Sequence, residues 1–148
     1  TTEIYTLSLH DALPIYQCYT AKSHTAMSLS MDIAAVYQRG FDLRCNGQYP
    51  EARAELQRVL AVNPNHCDAL WQIGLIQGFE GDFDGSLSTL QRVVGLCPNH
   101  LFARYDMAMT MMMLGYFEEA CGHFRAIVAA DPTHEAASKA QNQLAYCP

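Results

Sequence analysis

The sequence lacks the features that mark most nucleic-acid-binding and membrane-spanning proteins. Nine Lys and Arg stand against fifteen Asp and Glu, so the formal net charge is -6 over 148 residues, and the basic residues are scattered. Binding to a phosphate backbone depends on clustered cations, so we do not expect a nucleic-acid partner. No apolar run approaches the roughly 20 residues that a membrane-spanning helix needs, so we expect no membrane partner either.

Motifs of known catalytic and cofactor chemistry are missing as well. There is no HExxH zinc motif, and no glycine-rich phosphate loop follows a strand pattern. His66, His100 and His134 recur every 34 residues. Equivalent positions of stacked repeats lie roughly 8 to 10 Å apart or more, too far to share one zinc ion, so we interpret these histidines as loop residues after a proline turn. We therefore predict no catalytic residue, no metal site and no cofactor.

The chain has six cysteines, an even number that in a small secreted protein suggests a disulfide framework. They are Cys18, Cys45, Cys67, Cys97, Cys121 and Cys147. They form no CxxC pair and share no common spacing. We interpret them as small apolar residues in a reducing compartment, in preference to disulfides or metal ligands, and we expect a cytoplasmic protein.

The strongest positive signal is an internal repeat of 34 residues. Two sets of residues recur at this interval: Pro64, Pro98 and Pro132, and Gly47, Gly81 and Gly115. Glycine adopts a left-handed conformation without Cβ strain, so each glycine is predicted to end one helix and turn the chain into the next. Proline lacks the amide hydrogen and disfavours helix at the residue before it, so each proline is predicted to end a second helix.

The repeat predicts helices over residues 33–46, 49–62, 67–80, 83–96, 101–114 and 117–130, and a seventh over 135–146. Small residues in both helices of a hairpin, such as Gly74 and Ser86, predict a close approach of the two. In the second helices we expect a buried apolar stripe at i, i+3 and i+6, as at Leu56, Val59 and Val62.

This pattern resembles the tetratricopeptide repeat over residues 33–134. The middle repeat carries the signature as Leu70, Ile73, Gly74, Gly81, Phe83, Ser86, Leu90 and Pro98. The resemblance implies an all-α fold, an α-solenoid of three antiparallel helix-turn-helix repeats at 33–66, 67–100 and 101–134 with a C-terminal capping helix at 135–146. These elements form a predicted domain of residues 31–148. The resemblance also implies protein binding, without identifying the partner.

Residues 1–15 resemble, residue for residue, the in-frame translation of a DNA-sequencing adapter. We therefore treat residues 1–30 as an artefactual or disordered N-terminal segment and exclude them from the fold. An adapter beside the gene also leaves open that the chain is a repeat segment of a larger, truncated enzyme or signalling protein.

In the family that the sequence resembles, the first helix of each repeat lines the concave face of a right-handed superhelix. Carried over by position, this lining is Tyr37, Phe41, Arg44, Cys45, Trp71, Leu75, Phe79, Phe102, Tyr105, Met109, Met112 and Met113. Such an apolar lining predicts a groove for an apolar peptide or amphipathic helix, and its methionines suit partners of varied shape. We thus expect an adaptor or scaffold module rather than an enzyme. Two alternatives stay open: packing of some of these residues, such as Phe102, in the core together with Met111, and homo-oligomerisation through the same surface.

Overall fold

The computed structural model describes residues 31–148, which form seven α-helices and, within that range, no strand. The helices are α1 Ile33–Cys45, α2 Tyr49–Val62, α3 Cys67–Phe79, α4 Phe83–Leu96, α5 Leu101–Met113, α6 Phe117–Ala130 and α7 Glu135–Leu144. Each begins at its predicted residue and ends within two residues of its predicted end, so the all-α repeat class is confirmed. No helix in residues 31–148 is long and apolar enough to cross a bilayer.

The helices pack in consecutive pairs: α1 with α2, α3 with α4, and α5 with α6, while α7 packs on α6. The chain divides into two compact units, one ending at Val62 and the other covering Asn63–Pro148. Helices α1 and α2 belong to the first unit, and α3 to α7 belong to the second. The single domain over residues 31–148 stays a prediction, and the interpretation of residues 1–30 lies outside the described residues.

Glycines end the first helix of every pair, as the repeat predicts. Gly81 has a φ of 87°, in the left-handed region that an L side chain rarely adopts, and the equivalent Gly47 and Gly115 have 76° and 88°. After α3, the Gly81 amide donates to the Gly78 carbonyl at 3.1 Å and the Asp82 amide to the Gln77 carbonyl at 2.9 Å. This pair of bonds is a Schellman motif, which satisfies the last carbonyls of the helix and starts the turn.

Histidines cap the N-termini of three helices in the second unit. His66, His100 and His134 lie in the loops, as predicted, and each is also the N-cap of the helix that follows, α3, α5 and α7. In each cap the imidazole Nδ1 accepts a backbone N–H bond, at 3.2, 3.1 and 3.0 Å respectively. A cap of this kind requires an unprotonated Nδ1, because a protonated ring nitrogen has no lone pair to offer.

Close approach of the helices in a pair depends on small residues. A Cβ atom added to Gly74 would lie 2.9 Å from Cγ of Leu90, so only glycine lets α3 pack this closely on α4. Leu90, Phe124 and Ile127 are fully buried in the core of the second unit. Burial of each such side chain stabilises the fold by about 1.5 to 3 kcal/mol.

The predicted stripe of the second helices is wrong at its third position. The buried residues of α2 are Ala52, Leu56 and Val59, at i, i+4 and i+7, while Val62 is 59% exposed. Six residues of α-helix advance the direction of a side chain by about 600°, which points it about 120° away from the starting face. A residue at i+6 therefore leaves the buried face.

The interpretation of the cysteines as thiols is wrong for four of them. Cys67 is joined to Cys97, and Cys121 to Cys147, while Cys45 is an exposed thiol. The antiparallel pairing brings the first residue of α3 beside the residue that ends α4, so cysteines 30 positions apart meet. Disulfides persist in oxidising compartments. The cysteines therefore no longer support the expected cytoplasmic location.

Candidate functional site

The second unit contains an apolar pocket at the turn ends of its first two helix pairs. The pocket has a volume of about 350 Å³, within the range of roughly 300 to 1,000 Å³ typical of ligand sites. Its lining residues are Leu75, Gly78, Phe79, Phe83, Ser86, Asp106, Met109, Thr110 and Met113. Asp106 is the one charged member of this lining, so the pocket is suited to an apolar group.

The repeat explains how these residues come together. Leu75 and Phe79 lie one turn apart on α3, so they share a face of that helix. Met109 and Met113 occupy the equivalent positions on α5, 34 residues further along the chain. Phe83 begins α4 directly after the glycine turn, which returns it to the side of Phe79. Repeating helix pairs therefore place two copies of one apolar face around the same cavity.

A hydrogen bond between α3 and α5 fixes one side of the pocket. The Trp71 indole Nε1 donates to Asp106 Oδ2 at 2.7 Å, and the Thr110 hydroxyl donates to the Asp106 carbonyl at 2.9 Å. Hydrogen bonds to charged groups contribute about 1.5 to 3 kcal/mol when they are buried. The carboxylate therefore holds the two lining helices together.

Aromatic stacking continues this contact beside the pocket. The Trp71 ring stacks on Phe102, with centroids 5.9 Å apart and an interplanar angle of 13°, and meets His100 edge-on at 4.8 Å. Phe102 in turn meets His134 at 4.9 Å and lies under the Lys139 ammonium at 5.5 Å. Trp71 and Phe102 are thus engaged with residues of their own chain.

The structure separates the predicted lining of the second unit into three groups. Leu75, Phe79, Met109 and Met113 line the pocket, Trp71 and Phe102 form the stack beside it, and Tyr105 and Met112 pack against the core. Met111, predicted to fill the core, is only 8% exposed. Membership of all these residues in one partner-binding groove remains a prediction.

In the first unit, the predicted residues of α1 form their own cluster. The Tyr37 and Phe41 rings lie 6.5 Å apart, and the Arg44 guanidinium lies 5.2 Å from the Phe41 centroid. Arg44 also donates to the Cys45 Sγ at 3.4 Å. These side chains share one face of α1, and their part in binding stays a prediction.

Sequence reasoning missed five pocket residues: Gly78, Phe83, Ser86, Asp106 and Thr110. Phe83 and Ser86 belong to the repeat signature, and signature positions are ordinarily assigned to packing between helices. One signal for Phe83 was its place directly after the glycine turn, four residues from Phe79. Asp106 carried no signal, because its partner Trp71 lies 35 positions away.

The chain around the pocket is acidic. Residues 75–91 and 105–122, which contain every lining residue, include no Lys, Arg or His. The same stretches carry six carboxylates: Glu80, Asp82, Asp84, Asp106, Glu118 and Glu119. Four of these acids, Asp82, Asp84, Glu118 and Glu119, lie at the starts of α4 and α6, and the Asp82 side chain accepts the Gly85 amide at 2.9 Å. These acids, with no basic residue among them, follow the chain on either side of the lining residues.

Two polar residues of the lining, Asp106 and Thr110, take structural hydrogen bonds. The Asp106 carboxylate accepts from Trp71, and the Thr110 hydroxyl donates to a backbone carbonyl. Within residues 31–148, no three His, Cys, Asp or Glu side chains are grouped to hold a metal ion. Away from the pocket, burial lowers the pKa of His123 below its usual 6.5, and the positive charge of Arg104 lowers it further. The pocket's geometry thus favours binding of an apolar group.

Comparison with known proteins gives one family match and many similar structures. Residues 68–100 match a family profile described as tetratricopeptide repeat. The comparison with curated proteins gives no significant match. Three similar solved structures illustrate the range of the fold.

MamA from Desulfovibrio magneticus RS-1, residues 41 to the end, is 24% identical with a TM-score of 0.66, over 77% of this chain and 63% of that one. This chain therefore spans less than two thirds of the MamA structure. YrrB, described as a tetratricopeptide protein with an unusual peptide-binding site, is 26% identical with a TM-score of 0.64, over 77% of this chain and 59% of that one. The first repeat domain of Spaghetti, bound to an HSP90 peptide, is 17% identical with a TM-score of 0.69, over 77% and 88%.

Proposed function

We propose, from the premise that this chain is built of tetratricopeptide repeats, that it is an adaptor or scaffold module holding an apolar peptide or amphipathic helix of another protein. The premise has the support of the matched profile over residues 68–100 and of the repeat fold. Tetratricopeptide folds of this kind are protein-interaction modules, and two of the similar structures are described with peptides or peptide sites. The pocket of the second unit is the proposed binding site.

The observation that carries this proposal is the exposure of large apolar side chains at the pocket mouth. Phe79 is 58% exposed and Met113 is 66% exposed, and both line the pocket together with Phe83. Contiguous apolar surface on a folded protein is typical of interaction sites. Covering these two side chains would stabilise a complex by about 1 to 2 kcal/mol each, a little less than the value for full burial.

The neighbouring structure favours binding without large rearrangement. The Trp71–Asp106 bond and the stack of Trp71 on Phe102 hold α3 and α5 in place before a partner arrives. A preformed site loses less conformational entropy on binding. The methionine side chains, in contrast, have three rotatable bonds and can adjust to the shape of the bound residue. A rigid frame with an adjustable lining suits the capture of one or two apolar side chains.

Peptide selection from a displayed library, followed by calorimetric titration, tests the proposal. Selected peptides are expected to bind the parent chain and to lose about tenfold or more in affinity when Phe79 and Met113 are both changed to Ala. Leu96→Ala is the matched control, because Leu96 is an exposed apolar residue at the opposite end of α4. Circular dichroism should show equal helix content in all three proteins. Equal affinity of the double variant and the parent would refute binding in this pocket.

A further inference from the structure

Resting on the proposed function, we infer that the occupant of the pocket is a cationic amphipathic segment, with apolar side chains that enter the pocket and Lys or Arg on either side of them. The inference comes from the charges that surround the apolar lining. An apolar pocket on its own does not discriminate between basic, neutral and acidic peptides, whereas a rim of one sign does.

The acids stand directly beside the lining aromatics along the chain. Glu80 follows Phe79, and Asp82 and Asp84 flank Phe83. Asp84 and Glu80 are both exposed side chains at this turn. A peptide whose apolar residue reaches Phe79 or Phe83 must therefore bring its neighbouring side chains close to these carboxylates. Basic neighbours would be attracted, and acidic neighbours would be repelled.

The pocket itself adds a further negative charge. The Asp106 carboxylate lines the cavity and is held in position by the Trp71 indole. Lys and Arg carry long apolar stems that pack along apolar surface while their charged ends reach a polar group. A basic side chain entering between Met109 and Met113 would therefore find both an apolar wall and a carboxylate.

None of the basic residues of this unit lines the pocket, and each makes other contacts. Lys139 also interacts electrostatically with the lining residue Asp106. Arg92 donates to the Pro64 carbonyl, Arg104 to the Pro98 carbonyl and Arg125 to the Pro148 carbonyl. Lys139 pairs with Glu135 at 2.8 Å. These partners belong to the loops that close the other ends of the hairpins and to the C-terminal helix. The stretches around the pocket thus carry acids and no basic residue, whereas the other end of the unit carries charges of both signs.

Three synthetic peptides with one apolar face and different polar residues test the inference against the full chain. The polar positions are Lys and Arg in the first peptide, Gln and Ser in the second, and Glu in the third. Fluorescence anisotropy is expected to show the cationic peptide binding about tenfold more tightly than the neutral one, and the acidic peptide binding most weakly. Raising the salt concentration from about 0.05 to about 0.5 M should narrow these differences, because exposed charges are screened.

Paired variants test whether the preference for a cationic peptide depends on Glu80 and Asp84. Changing Glu80→Gln together with Asp84→Asn should weaken the cationic peptide about five- to tenfold and leave the neutral peptide unchanged. Asp42→Asn with Glu51→Gln removes the same number of charges from exposed residues of α1 and α2 in the first unit and should change neither. An equal loss of cationic binding in both double variants would overturn the inference, since it would indicate attraction to overall charge.

The outcomes distinguish this inference from the proposed function on which it rests. Equal affinity for the cationic and neutral peptides, both lost in the Phe79→Ala and Met113→Ala double variant, would overturn the charge preference and support peptide binding in the pocket. Tighter binding of the acidic peptide would also overturn the charge preference. Binding of all three peptides that is unaffected by that double variant would overturn the proposed function.

Discussion

Replacing Trp71 with Phe separates a structural role of this residue from a role in partner binding. Phenylalanine keeps a ring that can stack on Phe102 but lacks the Nε1–H that donates to Asp106 at 2.7 Å. The hydrogen bond is charge-assisted and half-buried, so its loss is expected to cost about 1 to 2 kcal/mol of unfolding free energy. For a unit of this size that corresponds to a fall in Tm of about 5 to 10 °C.

Urea unfolding followed by circular dichroism measures this change. Trp71 is the one tryptophan of the chain, so tryptophan fluorescence follows unfolding in the parent and in Asp106→Asn but not in Trp71→Phe. Asp106→Asn is the control, because its side-chain oxygen still accepts from the indole, and it should cost less than Trp71→Phe. If Trp71→Phe unfolds at the same urea concentration as the parent, the bond adds nothing to stability and Trp71 is available to a partner instead.

Three further predictions concern the fold. Alkylation without reductant, followed by peptide mass mapping, should leave Cys67, Cys97, Cys121 and Cys147 unlabelled, and labelling of these four in the unreduced protein would contradict the pairing. Reduction should lower the free energy of unfolding by about 3 to 4 kcal/mol per disulfide on the chain-entropy estimate. Gly74→Ala should lower the free energy of unfolding by about 1 to 3 kcal/mol, because the added Cβ meets Leu90. Gly95→Ala should be neutral or stabilising, because Gly95 faces open space. Equal effects of the two variants on the urea midpoint would refute the close approach of α3 and α4. Because the pKa of His123 is lowered in the folded state, the unfolded chain takes up a proton at a higher pH than the folded chain does. The free energy of unfolding should therefore fall as the pH drops below 6.5 towards the folded-state pKa, and His123→Gln should reduce this dependence. An unchanged urea midpoint between neutral and mildly acidic pH would contradict this prediction.

The helix pairs could be predicted from the sequence because their boundaries depend on local chemistry. A glycine at positive φ and a proline without an amide hydrogen determine where a helix ends wherever they occur, and both recur at a constant interval. The histidine caps had a local signal too, since His66 and its equivalents directly precede the first residue of a helix. Histidine is an uncommon N-cap, so the repeat pattern predicted a loop position for these residues and not their capping role.

The site was predicted only in part, because it depends on contacts between residues far apart in the chain. Position in the repeat correctly brought Leu75, Phe79 and Met109 to one pocket. Position in the repeat did not predict the hydrogen bond from Trp71 to Asp106, because this bond depends on which side chain of α5 faces Trp71. The disulfides were missed for the same reason: their cysteines are neighbours only after the hairpins form.

Methyl NMR of the chain labelled at its methionine methyl groups tests the central claim most directly. Met109 and Met113 line the pocket, whereas Met111 is buried in the core of the same helix, so three neighbouring residues report on two different environments. On titration with the cationic amphipathic peptide, the Met109 and Met113 signals should shift together and saturate at the affinity measured by anisotropy, while the Met111 signal stays in place. Saturable binding of that peptide with no shift at Met109 or Met113 would contradict the account.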